Sequence, residues 1–475
     1  MKTNFSSLRI MLFAVLPLVG GSLVAQEFSS KPDAKPFQLT RYDKRIPADS
    51  WMLASMDLDV FFSSKALMKA VFENSDGPDA PPKVLVDLFT SGKMKMVMPY
   101  PIIFGLGGDA DKPGNSPENN PIVMDFLKQR HQMGLYFNLS QMPDAVVSAL
   151  YQQEASKGNL PLTEAEALEL FRFVKQVLPP SHFGMNFKKG EFNLAGAVHD
   201  KGMAEKWPGK GLPKSLLNAI PASSMVVLGG SLNVEEANED IQARLGQFLK
   251  IANLMQKIES PNEQPSLDLE AMSAQINAMT REMVGMDAKD LLQIFHGDFV
   301  MGVGIGFVKN AGGDIPEPQV VVGATVKEEG KLTLLLDALE ANGAFADPMF
   351  NVVRRPGHLF ICTTNLARQL KRGDLAKPIR GDARKALQDN HLAMFADMQK
   401  IMKAQARAGL DFLGRDDPEY TAMFEKLDSM ILAARFEEGK MNSKLALQLR
   451  DPSFDALEFI LQLGALDQLD HDSLD

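Results

Sequence analysis

Cysteine is almost absent from this chain: Cys362 is the single one among 475 residues. A lone cysteine cannot form an intramolecular disulfide bond, and Cys362 lies too far from the amino terminus to carry a lipoprotein anchor. The surrounding run, residues 358–362, consists mainly of apolar, strand-forming residues. We therefore expect a packed, unreactive thiol rather than a nucleophile.

The chain also lacks an excess of basic residues, and its formal net charge is -10. Binding to nucleic acid depends on clustered lysine and arginine side chains that neutralise phosphates. Binding to anionic lipid through charge depends on a similar polybasic segment. The composition therefore argues against nucleic acid as the main partner and against a charge-driven grip on a membrane. The expected partner is a protein or a small ligand that the sequence does not identify.

Long apolar runs are missing after the first 25 residues, and the best later candidate, residues 299–308, has only the length of a strand. At the start of the chain, Lys2 and Arg9 are followed by an apolar run at 10–19 and small residues up to Ala25. This pattern predicts a secretory signal peptide over residues 1–25. We expect an exported protein, periplasmic or extracellular, with no transmembrane segment after cleavage.

The common catalytic motifs are absent as well. No histidine is followed by glutamate, which excludes the H-E-x-x-H zinc motif, and no Walker A loop is present. Residues 229–233, GGSLN, lack the second glycine of the G-x-S-x-G motif. The sequence therefore predicts no catalytic residue, no cofactor and no metal site.

Two weaker patterns have structural and functional interpretations. Asp109 and Asp111 resemble the start of a calcium loop, but Pro113 and Asn120 occupy positions where ligands are needed, so a solvated loop is the better interpretation. A second pattern, whose members would share one face of a strand, could bind Cu(I) but is equally explained by a core-facing strand: Met94, Met96 and Met98.

Glycine and histidine give two further candidates. Gly302, Gly304 and Gly306 alternate, which predicts a strand face that a neighbour approaches closely; we expect a helix there, with a ligand as the alternative. The histidines are scattered, no two are four residues apart, and we expect them to be structural, including His199 beside Asp200. They are His131, His182, His199, His296, His358, His391 and His471.

The mature chain contains two similar halves. The motif IPADS at 46–50 returns as IPASS at 220–224, and FKKG at 187–190 returns as FEEG at 436–439. We interpret 46–218 and 220–463 as tandem copies of a strand-helix-helix-hairpin-helix unit, with a linker at 26–45 and an acidic tail at 464–475. Hairpins followed by helices predict an α+β fold, with antiparallel sheets and helices packed on one face.

Helix starts are also readable. Thr163 and Glu166 form a capping box. Strand-like runs end in Asp or Asn where a helical pattern begins, which we interpret as helix capping rather than as a row of catalytic carboxylates; these are Asn138, Asp200, Asn233, Asn365, Asp397 and Asp451.

Two long helical patterns around residues 235–259 and 266–283 are separated by a short loop rich in helix breakers. They predict a helical hairpin that packs on its own sheet, or alternatively one that protrudes and grips a partner. The second pattern carries a narrow apolar seam: Leu269, Met272, Ile276, Met279 and Met283.

The repeated openings, IPADSWM at 46–52 and IPASSMV at 220–226, resemble a loose group of exported bacterial proteins described only as domains of unknown function. The resemblance implies no activity, cofactor or catalytic residue. The leading hypothesis is a non-enzymatic, exported protein of the bacterial envelope that binds a ligand or a partner. The alternative is a periplasmic hydrolase whose acidic groups converge only in the folded chain.

Overall fold

The computed structural model describes residues 39, 43–57, 102–107, 115–156, 163–259, 269–310, 313–343, 349–373, 375, 377–408 and 418–463. The predicted signal peptide, most of the predicted linker, the Asp109 and Asp111 loop, the Met94 to Met98 pattern and the acidic tail lie outside these residues.

The protein is α+β, and its described strands form one antiparallel sheet of thirteen strands. In chain order these are β1 Met52–Met56, β2 Ile102–Leu106, β3 Met133–Phe137, β4 Ser181–Lys188, β5 Glu191–Val198, β6 Ser224–Ser231, β7 Phe295–Asn310, β8 Gly313–Val326, β9 Phe350–Arg355, β10 His358–Thr363, β11 Leu392–Asp397, β12 Leu427–Glu437 and β13 Lys440–Leu449.

The described helices lie between these strands and after the last one. They are α1 Pro121–Gln129, α2 Asp144–Ala155, α3 Glu164–Val177, α4 Lys201–Lys206, α5 Lys214–Leu217, α6 Val234–Glu259, α7 Leu269–Val284, α8 Ala288–Gln293, α9 Glu329–Ala341, α10 Thr364–Arg372, α11 Gly381–Asp389, α12 Met398–Ala408, α13 Pro418–Phe424 and α14, residues 456–463. None of the helices in the described ranges is both long and apolar enough to cross a membrane.

The order of strands is β2-β1-β3-β4-β5-β13-β12-β11-β6-β7-β8-β10-β9. Around the β5–β13 pair the order is symmetric, because β1-β3-β4-β5 on one side corresponds to β6-β11-β12-β13 on the other. The two central strands pair from Met441 opposite Val198 to Gln448 opposite Glu191. The sheet therefore runs without a break through both halves of the chain.

Helices pack against both faces of this sheet. Helix α1 covers the face that carries Leu53 and Tyr136, where it buries Val123 and Phe126. Other helices, including α12 and α14, pack against Phe192 on β5. Tyr136, His182 and Ala197 lie opposite one another on neighbouring strands and therefore share one face of the sheet. Phe192 is five residues before Ala197 on β5, so its side chain points to the other face. The two groups of helices therefore cover opposite faces. The predicted one-sided arrangement is therefore not confirmed.

The turns and several caps agree with their predictions. Gly190 and Gly439 adopt positive φ angles in the β4–β5 and β12–β13 turns. The capping box of Thr163 and Glu166 is present at α3. Asp200, Asn233 and Asp397 accept hydrogen bonds from the first turns of α4, α6 and α12.

Three predicted caps differ. Asn138 makes no capping bond, and its side chain accepts a hydrogen bond from Ser140 instead. Asn365 lies inside α10, because the strand before it ends earlier, at Thr363. Asp451 accepts from Ser453 in a turn, and Asp455 caps the helix that follows.

Two long helices occupy the predicted helical hairpin, α6 and α7. The apolar seam of α7 is not covered along its second half, since Ile276, Met279 and Met283 are 49%, 53% and 61% exposed. Its periodicity indicates a helix correctly, but the buried contacts expected along it are missing there.

Candidate functional site

Helix α1 brings a carboxylate to the middle of the sheet. The side chain of Asn120 caps this helix by accepting hydrogen bonds from the backbone N–H groups of Ile122 and Val123, at 3.0 and 3.3 Å. Val123 and Phe126 then anchor the helix in a buried apolar cluster. Asp125 lies beside these anchors, and its half-buried carboxylate points to the sheet, where it contacts His182.

Two histidines meet this carboxylate from adjacent strands. His182 is on β4 opposite Ala197 of β5, and His199 follows two residues after Ala197, so both histidines lie on the same face. The Nε2 atom of His182 donates a hydrogen bond to Asp125 Oδ2 at 3.0 Å. The Nε2 atom of His199 lies 3.5 Å from the same oxygen but forms no hydrogen bond. The two rings are 5.3 Å apart between centroids.

The other half of the chain supplies a cation. Lys440 begins β13, and the pairing of Asn442 with Ala197 places Lys440 next to His199 on the same face. Its Nζ atom donates a hydrogen bond to Asp125 Oδ2 at 2.7 Å, and its side chain is 10% exposed. One carboxylate oxygen thus faces three nitrogen atoms from three different strands or strand ends.

His131 lies beside this group. Its ring centroid is 6.3 Å from that of His182, and its Nδ1 atom accepts a hydrogen bond from the Asn186 side-chain amide at 3.2 Å. The ring packs onto Gly184 of β4, where a Cβ atom would stand 2.1 Å from the Cγ atom of His131. The absence of a side chain at Gly184 therefore leaves room for His131, the fifth member of this polar group.

Burial and charge set the protonation states. Burial alone would raise the pKa of Asp125, but the hydrogen bonds and positive charges of His182 and Lys440 outweigh it and hold that pKa well below its usual range. Burial lowers the pKa of His131 and of His199 to about 4, with further repulsion from His182. The carboxylate is therefore ionised near neutral pH, and these two histidines are neutral.

Several nitrogen atoms in this group are left without a hydrogen-bond partner. They are His131 Nε2, His182 Nδ1 and His199 Nε2, all of them buried. A buried polar atom without a partner costs about 1–3 kcal/mol, and such atoms are rare unless an ion or water completes them. Ligand atoms of Asp125, His182 and His199 all lie within 4.8 Å of one another, the arrangement of a metal-binding or polar ligand-binding site. We call these three residues the Asp-His-His cluster.

The remaining sequence candidates lie elsewhere. Cys362 is buried on β10, and burial raises the pKa of its thiol to about 11, which agrees with the predicted unreactive role. The strand face with Gly302 and Gly304 is approached by the chain at Ser223 and Ser224 rather than by a helix. Asp200, next to His199, caps α4 and pairs with Arg244 at 2.7 Å.

An open cleft of about 590 Å³ lies at the far end of β13, beside Leu449 and Asp451. Lys440 and Leu449 are the first and last residues of this strand, so roughly 30 Å separates the cleft from the cluster. The cleft shares no residue with the Asp-His-His cluster, and we do not assign the site to it.

The sequence analysis did not predict this cluster, because its residues do not form a motif with a recognisable spacing along the chain. Asp125, His182 and His199 are 57 and 17 residues apart along the chain and come from a helix, a strand and a strand end. The available signal was indirect. His182 and His199 lie on either side of the correctly predicted turn at 187–190, and the pairing of the two strands brings them together.

Comparison with protein-family models, with curated proteins and with solved structures finds no match for this chain.

Proposed function

We propose that this protein is a non-enzymatic, exported binding protein of the bacterial envelope, and that its ligand binds at the Asp-His-His cluster. One observation carries the proposal: a single ionised carboxylate lies between two imidazoles, and each ring has a buried nitrogen without a hydrogen-bond partner, His182 Nδ1 and His199 Nε2. Such atoms gain most when a bound group completes their hydrogen bonds or coordination.

The hydrolase alternative has less support. A hydrolytic site that works without a metal ion needs a nucleophile within hydrogen-bond reach of its base, or a pair of acidic groups. Within the described ranges, no hydroxyl or thiol group forms a hydrogen bond with an imidazole of His131, His182 or His199, and Asp125 is the single carboxylate of the cluster.

We further propose that 46–218 and 220–463 arose by duplication. The symmetric order of strands around β5 and β13 supports this. So does a common register: Leu53 lies opposite Tyr136 as Val227 lies opposite Phe395, and Tyr136 faces His182 as Phe395 faces Ile431. Ile431 at the position of His182 makes the cluster a feature of the first copy alone. The second copy contributes Lys440 across the joint.

Export rests on the signal-peptide pattern of residues 1–25. N-terminal sequencing of protein from the envelope fraction is expected to begin near Gln26. An intact Met1 on a cytoplasmic product would contradict export.

Native mass spectrometry of the same preparation tests binding at the cluster. We expect the wild-type protein to retain a small additional mass that is lost in Asp125→Asn, which keeps the shape of the side chain but removes its charge. His391→Asn, at a half-buried histidine outside the cluster, serves as the control and should retain the mass. Equal masses for wild type and Asp125→Asn, after correction for the substitution, would contradict binding at this site.

A further inference from the structure

The distances between the ligand atoms of the Asp-His-His cluster indicate which class of ligand it can bind. A tetrahedral zinc ion with ligand bonds of about 2.0–2.1 Å holds its ligand atoms about 3.3–3.4 Å apart. Asp125 Oδ2 lies 3.0 Å from His182 Nε2 and 3.5 Å from His199 Nε2, on either side of that value. Two imidazoles and one carboxylate form a donor set that suits zinc and its first-row neighbours, and poorly suits calcium or magnesium, which take oxygen ligands.

A cation already lies beside the carboxylate oxygen that a metal ion would bind. The ammonium of Lys440 is 2.7 Å from Asp125 Oδ2, the oxygen that both histidines face. Because this lysine is largely buried, its charge is weakly screened there and neutralises the carboxylate in the absence of an ion. A second carboxylate lies opposite Lys440 in the hairpin register, that of Glu437, which is 26% exposed and pairs with Arg435 at 2.9 Å.

We propose that Asp125, His182 and His199 bind one divalent transition-metal ion of the zinc class, and that Lys440 fills the empty site until the ion displaces its ammonium. This inference rests on the proposed function, since it names the ligand of the same cluster. Metal binding uses the lone pair of His182 Nε2, so the proton that this nitrogen donates to Asp125 leaves it, either to Nδ1 of the same ring or to solvent. Lys440 keeps its proton and moves toward Glu437, and water completes the coordination.

If a metal ion displaces Lys440, removing this lysine should strengthen metal binding, which is not expected if Lys440 serves only in a buried ion pair. Replacing Lys440 with Gln removes the competing cation and leaves the carboxylate uncompensated in the metal-free protein. Metal binding should then become at least tenfold tighter, although the metal-free protein loses stability. If the lysine served only in an ion pair, the same change would destabilise the protein without creating or strengthening any metal site.

Isothermal titration of the metal-free, full-length protein with ZnCl₂ is the test. We expect one ion per chain in wild type, at least tenfold weaker binding in Asp125→Asn and His199→Asn, at least tenfold tighter binding in Lys440→Gln, and unchanged binding in His391→Asn. Circular dichroism of each metal-free variant checks that it is folded. Binding that is absent in wild type, or unaffected by Asp125→Asn, would overturn the inference.

Cobalt supplies a readout that needs no variant. Co²⁺ added to the wild-type protein is expected to give the visible absorption of a four-coordinate site, and ZnCl₂ should abolish it. A six-coordinate spectrum identical to that of the free ion would overturn the inference.

The two proposals can fail separately. If the protein carries a mass that depends on Asp125 but binds neither ion, the metal inference fails and the binding function stands. If it carries no such mass and binds neither ion, both fail.

Discussion

At the scale of residues, burial keeps a histidine of the second half neutral. His391 Nδ1 accepts a hydrogen bond from the backbone N–H of Phe436 at 3.2 Å, which requires that nitrogen to be unprotonated. Burial, and after it the charge of Arg435, lowers the pKa of His391. The neutral ring is therefore part of the joint between β11 and β12.

This predicts a pH effect with a definite sign. The unfolded chain binds a proton at His391 below about pH 6.5, whereas the folded chain resists it, so stability present above that pH is lost as the pH falls toward the lowered folded pKa. In His391→Asn the side-chain oxygen keeps an acceptor for Phe436 but cannot titrate. Urea unfolding measured between pH 7 and pH 5 should show a shallower loss of stability in the variant, by up to about 1.4 kcal/mol per pH unit. Equal slopes for the two proteins would contradict this account.

At the scale of elements, the position of α1 decides whether the cluster assembles. Asn120 ties this helix in two ways, since its side-chain oxygen caps the first turn and its amide donates to the Ala48 carbonyl at 2.7 Å. The helix in turn carries Asp125 to His182. Loss of the cap should therefore lower the stability of the protein and also weaken binding at the Asp-His-His cluster.

We expect Asn120→Ala to lower the free energy of unfolding by ~1–2 kcal/mol and to weaken zinc binding. Thr163→Ala is the matched control, because it removes the capping box of α3, which supplies no residue of the cluster. It should cost a similar ~1 kcal/mol while leaving zinc binding unchanged. Urea titration and calorimetric titration of the two variants make the comparison, and equal effects on zinc binding would show that α1 does not position Asp125.

Local patterns were enough to predict many elements but not how they meet. The capping box at Thr163 and the turns at Gly190 and Gly439 depend on neighbours in sequence, and they are confirmed. Sheet order depends on pairing between distant strands: β5 meets β13 about 250 residues later along the chain, which no local periodicity records. The Asp-His-His cluster could not be predicted from local patterns for the same reason, because its residues come together only when distant segments of the chain pair.

At the scale of the whole molecule, one uninterrupted sheet joins the two halves. β5 and β13 pair along eight positions, and the Asp125–Lys440 ion pair crosses the same joint. Opening either half alone would leave one of these strands with an unpaired edge. We therefore expect the halves to unfold together.

Both tryptophans belong to the first half; one probes that half, and the other probes its contact with the second half. Trp51 begins the β1 region of the first half, and Trp207 packs on Phe436 of the second, with 6.0 Å between ring centroids. Trp207→Phe leaves Trp51 as the reporter, and Trp51→Phe leaves Trp207. In urea, each variant's remaining fluorescence should change at the same midpoint as its own circular dichroism signal. A fluorescence midpoint separated from that signal in either variant would indicate independent units.

The central claim is that a metal ion takes the place of the Lys440 ammonium among Asp125, His182 and His199. Anomalous X-ray diffraction at the zinc absorption edge, from crystals of the protein grown with ZnCl₂, tests it directly. The account predicts one strong peak about 2.0–2.2 Å from His182 Nε2, His199 Nε2 and the Asp125 carboxylate, with the Lys440 side chain moved away. A cluster with no anomalous peak, and with the Lys440 ammonium still bound to the Asp125 carboxylate, would contradict it.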